Sequence, residues 1–283
     1  MLVHLFGSTM NILDPIGPVA VADKTLLIDS VAIMLVIILP TIAAIFSFAF
    51  WFRHSNSRAV HLADWAESGR IELVVWSIPA LTIMLLGGVA WIGSHQLDPA
   101  VPVEGTGTPV RIQVVSLDWK WLFIYPDQKI ATVNTLTIPL GAPLRFELTS
   151  GSVMNVFFVP QLGSMIYTMN GMVTRLNLRA DREGDYQGLS AMLSGEGFSD
   201  MVFDVHVVSS LAFPGWATDA ARGDRVLDKD SYTMLARPSV EADKISYRLA
   251  DPELFGKIAN LEIAPGPGPQ LTAKPDSGVS NVR

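Results

Sequence analysis

Two long stretches without a charged side chain constrain this chain more than anything else in it. From Ser30 to Phe52, and again from Leu73 to Gly93, the sequence runs through Ile, Leu, Val, Ala and Phe with no Asp, Glu, Lys or Arg. A helix needs about 20 such residues to cross the hydrocarbon core of a bilayer. Each run is long enough, and Trp76 and Trp91 stand near the ends of the second, where amphipathic rings prefer the headgroup zone. Each also carries one proline, Pro40 or Pro79, which removes a helical hydrogen bond and leaves a carbonyl that lipid cannot satisfy. The simplest reading is a kinked two-helix hairpin. Arg53, Arg58 and Arg70 flank the connecting loop, about 53–70, so the excess of positive charge places that loop in the cytoplasm. Both termini, and everything beyond about residue 96, then lie on the outer face.

Charge and cysteine content exclude several classes of function. The net charge is −7 and no Lys/Arg cluster occurs, which argues against nucleic acid, because neutralising phosphates needs a basic face. There is no cysteine, so neither a disulfide framework nor a thiolate metal site can form. The first ten residues, Met1 to Met10, have an apolar patch too short for a signal-peptide core. From residue 96 onward the balance is modestly acidic, 16 basic against 21 acidic residues, and needs no partner to explain it.

Past a Pro/Gly/Thr-rich linker at Pro99 to Pro109 the texture changes to short β-type runs broken by turn residues. Leu144 to Leu148 alternates strictly, and Phe203, Val205 and Val207 alternate with Asp204 and His206, so each run buries one face. About nine such segments fit between Val110 and Val208, the pattern of a Greek-key sandwich. Residues 209–263 read as a helical extension, and the Pro/Gly-rich remainder, 264–283, as disordered. The expected organisation is an N-terminal segment 1–24, a membrane hairpin 25–95, a sandwich 96–208, then the extension and the tail.

Two stretches of the sandwich carry a family resemblance. Trp119-Lys120-Trp121-Leu122-Phe123-Ile124-Tyr125 resembles the aromatic strand of subunit II in haem–copper terminal oxidases, and Ser152 to Val207 is similar to the copper-binding segment of that subunit. Asp118 to Tyr125, Ala131 to Asn134 and Ser152 to Asn155 resemble the quinol-oxidising, cytochrome bo-type branch in particular. That resemblance implies a cupredoxin-like domain on a two-helix anchor, in a bacterial inner-membrane complex that oxidises ubiquinol and reduces oxygen. In the branch fed by cytochrome c, two cysteines, two histidines, a methionine and a backbone carbonyl hold two coppers. Alignment on Gly188 and on Val159-Pro160 puts Asn155 and Phe198 at the histidine positions, and Ser190 and Ser194 at the cysteine positions. Met192 falls where a glutamate supplies the carbonyl, and only Met201 keeps its ligand identity. An amide, a phenyl ring and two hydroxyls supply neither soft thiolate nor imidazole, so the copper centre is expected to be lost. In this family a lipid-modified cysteine often precedes the Leu13-Asp14-Pro15 stretch; Met10 stands at about that place here.

The resemblance further implies that Glu72, at the cytoplasmic start of the second helix, lies at the mouth of a proton-uptake path into subunit I. A solvated charge marking the helix end reads the same residue without a function. Trp119 and Trp121 match aromatics that take part in electron entry where copper is present. Two large aromatics at a spacing of two normally bury one strand face, and a core or subunit-interface role is expected for both. Met154, Met165, Met169, Met172, Met192 and Met201 gather around the altered site; thioethers bind Cu(I), but methionine also fills irregular gaps, and packing is the expected role. None of the five histidines falls at a ligand position, and His54 and His61 lie in the cytoplasmic loop.

The function expected on this basis is structural support of subunit I, with no active site in the chain itself. Haems and copper are expected in subunit I, and the partners are subunit I, further small subunits, membrane lipid and, through subunit I, ubiquinol. Cytochrome c is not expected to dock. A membrane-tethered copper carrier or electron-transfer cupredoxin is the alternative, as is a free-standing sensor or adhesion module; metal content and co-purification with a haem protein discriminate them.

Overall fold

The computed structural model describes residues 12–60, 67–240 and 243–268. Met10, His61 and the tail beyond Gly268 fall outside the described residues. The chain divides into two compact units, one of residues 22–98 and one formed by 1–21 together with 99–283.

The first unit is a helical hairpin. Helix α1 spans Pro18–Trp51 and α2 spans Gly69–Gln96. Both are long and apolar enough to cross a membrane, and neither buries any residue of its apolar window. Polarity is therefore not segregated to one face, as fits a helix surrounded by lipid or by other apolar helices. Helix α1 begins seven residues before the expected start of the hairpin, because Pro18 is tolerated in a first helical turn and Asp23, Lys24 and Asp29 do not interrupt helical backbone. Hydroxyls return bonds to the helix around each proline: Thr41 to Ile37 O at 2.7 Å, beside Pro40, and Thr82 to Ile78 O at 2.8 Å, beside Pro79. The two helices meet at Gly93, where an added Cβ would stand 2.6 Å from Leu26 Cδ1. Small residues permit such close approach in membrane hairpins.

The second unit is a two-sheet sandwich. Its strands are β1 Val110–Leu117, β2 Lys120–Tyr125, β3 Ile130–Val133, β4 Thr135–Pro139, β5 Leu144–Ser150, β6 Asn155–Phe158, β7 Ile166–Thr168, β8 Thr174–Leu178, β9 Gly184–Ser190 and β10 Val202–Val208. After them come α3 Phe213–Ala221, β11 Val226–Leu227, α4 Lys229–Leu235, β12 Ser246–Leu249 and α5 Leu254–Ala259. One sheet runs β11-β12-β3-β2-β1-β5-β8 and the other β4-β10-β9-β6-β7. Parallel pairing of β1 with β5 and of β4 with β10 shows that the chain crosses between sheets rather than meandering within one.

Strand β2 explains the architecture, because all six of its residues are buried. Trp121, Phe123 and Tyr125 face the second sheet, where Phe157 and Phe203 stack at 5.3 Å and Trp121 meets each edge-on at 5.6 Å. Leu122 and Ile124 face the other way, into a separate core made with Leu227, Tyr232, Leu249, Leu254, Phe255 and Ile258 of the extension. Burial of each such side chain is worth about 1.5–3 kcal/mol. Lys120 shares that outer face, and its ammonium donates to Leu235 O at 2.9 Å, Arg237 O at 2.7 Å and Ser239 Oγ at 2.5 Å. Burial pushes its pKa down from the ordinary lysine range, against an upward pull from the charge of Asp118.

Three expectations change. The extension is mixed rather than purely helical, since β11 and β12 lengthen the first sheet beyond β3. Those strands have two and four residues, too few for a period-two signal in a stretch rich in Asp, Arg and Lys. Residues 264–268, expected to be disordered, lie along the loop after β5: Gly266 N–H donates to Gly151 O at 2.7 Å, and Gly268 is buried. Proline and glycine forbid regular elements there without forbidding backbone hydrogen bonds. Finally, Trp119 is not on the strand with Trp121; it occupies the tight β1–β2 turn with φ of 66°.

Close packing of the inter-sheet core leaves no room at Gly188, where an added Cβ would overlap the Phe203 ring, whereas nothing lies near that position on Gly256 of α5. Gly188→Ala is expected to destabilise the full chain by about 1–3 kcal/mol. Gly256→Ala is expected to be neutral or to stabilise by about 0.5–1 kcal/mol. Thermal unfolding of the detergent-solubilised protein checks both.

Candidate functional site

The residues singled out on the sandwich converge on one end of the second sheet. Strands β6 and β9 pair antiparallel with Phe157 opposite Ser190, and the chain then loops from Ala191 to Met201 before re-entering the sheet as β10. The loop closes on itself through Ser190 N–H to Met201 O at 3.0 Å and is fastened to β6 through Ala191 N–H to Val156 O at 3.1 Å. Phe198 opens a single 3-10 turn, Phe198–Asp200, which returns the chain to Met201.

A buried hydrogen-bond network occupies the base of this loop. Ser190 Oγ donates to Asn155 Oδ1 at 3.1 Å, and Asn155 Nδ2 donates to Val153 O at 3.3 Å. Thr168 Oγ1 donates to Asn155 O at 3.3 Å and meets Ser116 Oγ at 2.7 Å. Asn155, Ser190 and Thr168 are each at most 2% exposed, so these polar groups depend on one another for partners. Trp119 completes the loop's support: its indole N–H donates to Ser194 O at 3.1 Å, and its ring leaves no space for a side chain at Gly197. The left-handed backbone at Trp119 turns the indole toward the loop, whereas Trp121 belongs entirely to the core.

Chemically, the gathered side chains offer an amide, hydroxyls, a phenyl ring and thioethers. A dinuclear copper centre requires bridging thiolates with imidazoles, and these residues do not fit one. His206 sits on the outer face of β10, where Nδ1 contacts Asp185 Oδ1 at 2.6 Å, and His95 Nδ1 is 2.9 Å from Trp91 O at the end of α2. Among the described residues no three His, Asp or Glu side chains come together as a metal-holding group. The six methionines do not share one environment: Met201 is 1% exposed, but Met154, Met165 and Met172 are 38%, 53% and 53% exposed and fill no gap. Spacing alone could not separate them, because the β5–β6, β6–β7 and β7–β8 connections that carry them turn outward. Glu72 is exposed in the first turn of α2, where the unsatisfied N–H groups of a helix favour a carboxylate.

With this geometry in place, comparison with known proteins decides the family. Residues 126–208 match the family model of the cytochrome c oxidase subunit II periplasmic domain, a range that holds β3 to β10. Cytochrome bo(3) ubiquinol oxidase subunit 2 of Pseudomonas aeruginosa is 44% identical over 254 residues, covering 90% of this chain and 77% of that protein. The chain belongs to the ubiquinol oxidase subunit 2 family. Ubiquinol oxidase subunit 2 of Acetobacter aceti is 46% identical over 256 residues, 90% of this chain and 83% of that one. Quinol oxidase subunit 2 of Bacillus cereus is 35% identical, covering 85% of this chain and 84% of the relative. The similarity to these quinol oxidase subunits reaches far outside the 126–208 match, and the fold is the expected pair of apolar helices with a cupredoxin-like sandwich and a C-terminal extension.

Two features of the subunit were not legible as site residues. Asn134, in the β3–β4 turn with φ of 52°, accepts Trp121 N–H on its Oδ1 at 2.8 Å and so fixes the strand that carries the core aromatics. Asp14 forms a two-pronged ion pair with Arg182 at 2.7 and 3.1 Å, tying the Leu13-Asp14-Pro15 segment to the β8–β9 connection. Asparagine's tolerance of left-handed backbone was a usable signal for the first; nothing local signals the second, whose partners are 168 positions apart.

The Ser190–Asn155 bond gives a double-mutant test. Ser190→Ala leaves Asn155 Oδ1 buried without a donor and is expected to cost about 1–3 kcal/mol. Asn155→Leu alone should cost a similar amount. The double variant is expected to be less destabilised than the sum of the two, measured by denaturant unfolding of the full chain.

Proposed function

We propose that this chain is the non-catalytic subunit of a proton-translocating ubiquinol oxidase, in which it supports the subunit that carries the haems and copper. The observation that carries this reading is the 44% identity to a cytochrome bo(3) ubiquinol oxidase subunit 2 along 90% of the chain. The reaction of such a complex consumes two quinols and one oxygen and yields two quinones and two waters. Quinol is delivered through the lipid, so electrons have no need to cross the sandwich.

In this reading Asn155, Ser190, Met192, Ser194, Phe198 and Met201 are the vestige of a copper site. The hydrogen-bonded network among buried Asn155, Ser190 and Thr168 supports it, because hydroxyl and amide now hold together a loop that metal–ligand bonds would otherwise organise. The sandwich lies on the periplasmic side with both termini, in keeping with the arginines that flank the α1–α2 loop. The hairpin packs against the large subunit, and Glu72 gathers protons at its cytoplasmic entry, where an exposed carboxylate attracts them.

Purification in mild detergent tests the assignment. The chain is expected to co-purify with a many-helix haem protein that oxidises ubiquinol rapidly and reduced cytochrome c negligibly; fast cytochrome c oxidation with two coppers on this chain would overturn it. Glu72→Ala is expected to lower turnover and proton uptake while the haem spectrum stays unchanged. Unaltered proton uptake would remove Glu72 from the path.

A further inference from the structure

Strand β8, the edge of the seven-stranded sheet, is where the segments adjoining both helices of the hairpin are held. Ile16, two residues before α1, accepts Asp181 N–H just beyond β8 at 2.6 Å. Pro99, three residues after α2, accepts from Asn177 of β8 through its backbone N–H at 2.9 Å and its Nδ2 at 3.1 Å. Three residues reach at most about 10 Å, so the chemistry around Asn177 stands close to the end of a membrane-spanning helix on chain length alone.

Beside Asn177 are two arginines with nothing to hold. Arg145 of β5 pairs across the sheet with Asn177, and Arg175 of β8 pairs with Glu147 of β5. Phe146 and Leu176 between them point into the core, so the alternation turns Arg145, Glu147, Arg175 and Asn177 outward on one face. They line a groove of about 310 Å³ whose other wall is Ala100 and Pro102 of the linker. Neither guanidinium makes a hydrogen bond or ion pair among the described residues. The surrounding arginines do: Arg179 pairs with Asp181, Arg182 with Asp14 and Arg111 with Asp127. The groove holds one carboxylate, Glu147, which accepts from the neutral amide of Gln113 at 3.3 Å and forms no ion pair with either arginine, so the groove keeps a net charge of +1. A groove with net positive charge stands out on a domain with 16 basic and 21 acidic residues from position 96 on.

We propose that the Arg145–Arg175 groove binds the phosphate of an anionic phospholipid headgroup where the chain leaves the bilayer. Guanidinium forks match phosphate oxygens in pairs, and the headgroup layer of one leaflet is roughly 5–8 Å deep, within the reach of the linker and an arginine side chain. The inference rests on α2 being membrane-spanning but not on which side of the membrane the sandwich occupies. Inorganic phosphate offers the same chemistry, and the test separates the two.

The protein is placed in nanodiscs of phosphatidylcholine, with or without phosphatidylglycerol, and its arginines are labelled with phenylglyoxal and mapped by mass spectrometry. Phosphatidylglycerol is expected to slow labelling of Arg145 and Arg175 about fivefold, the scale of one basic residue at an anionic surface, while Arg248 is unaffected. The double variant Arg145→Gln/Arg175→Gln is expected to retain less phosphatidylglycerol in native mass spectra, with an unchanged haem spectrum of the assembled complex. Equal labelling in the two lipids overturns the proposal. So does protection by millimolar inorganic phosphate in detergent with none from phosphatidylglycerol. Protection by phosphatidylglycerol in a preparation that brings down no haem protein would sink the oxidase reading and leave this one standing.

Discussion

The whole of the extramembrane unit depends on one strand being buried from both sides. β2 offers Trp121, Phe123 and Tyr125 to the second sheet and Lys120, Leu122 and Ile124 to the extension. A sandwich strand ordinarily keeps one face for water, and an ammonium on the inner side of a closed layer would be ruinous without partners. Three acceptors from the end of α4 and the turn after it meet that need at Lys120, and Ser239 N–H reaches back to Asp118 O at 3.5 Å. The apolar layer and the lysine clamp therefore belong to a single device that joins sandwich and extension.

The same turn links that device to the altered loop. Trp119 leaves β1 in left-handed backbone, and its indole supports Ser194 and Gly197 from beneath. On the other side Asn155 and Ser190 bind each other, with Thr168 and Ser116 behind them. Such hydrogen bonds are individually worth about 0.5–1.5 kcal/mol. Together with close packing they suffice to define the path of the loop.

Much of this was readable in advance where a physical period governs the sequence. Uncharged runs gave the two helices, and strict alternation at Leu144–Leu148 and Phe203–Val207 gave two strands with the correct inward faces. Legibility failed where the deciding partner is remote. The spacing of Trp119 and Trp121 reads as one strand face, yet a turn intervenes, because left-handed backbone at a tryptophan has no local signature. Short β12 pairs with the edge that β3 offers, and β11 pairs in turn with β12, so neither carries a local signal of its own. The methionines separate into buried and exposed according to which way three loops turn. Resemblance places the side chains around the Ala191–Met201 loop, but the hydrogen bonds at its base join residues up to 52 positions apart and leave no mark in the sequence.

The clamp at Lys120 has an evolutionary corollary. A cupredoxin-type sandwich that ended at Val208 would leave Leu122 and Ile124 in water at a cost, whereas Lys120 would simply be solvated. The obligation therefore runs one way: an extension that covers this face must bring its three oxygen acceptors wherever the lysine is kept, whereas a sandwich without the extension keeps the lysine at no cost.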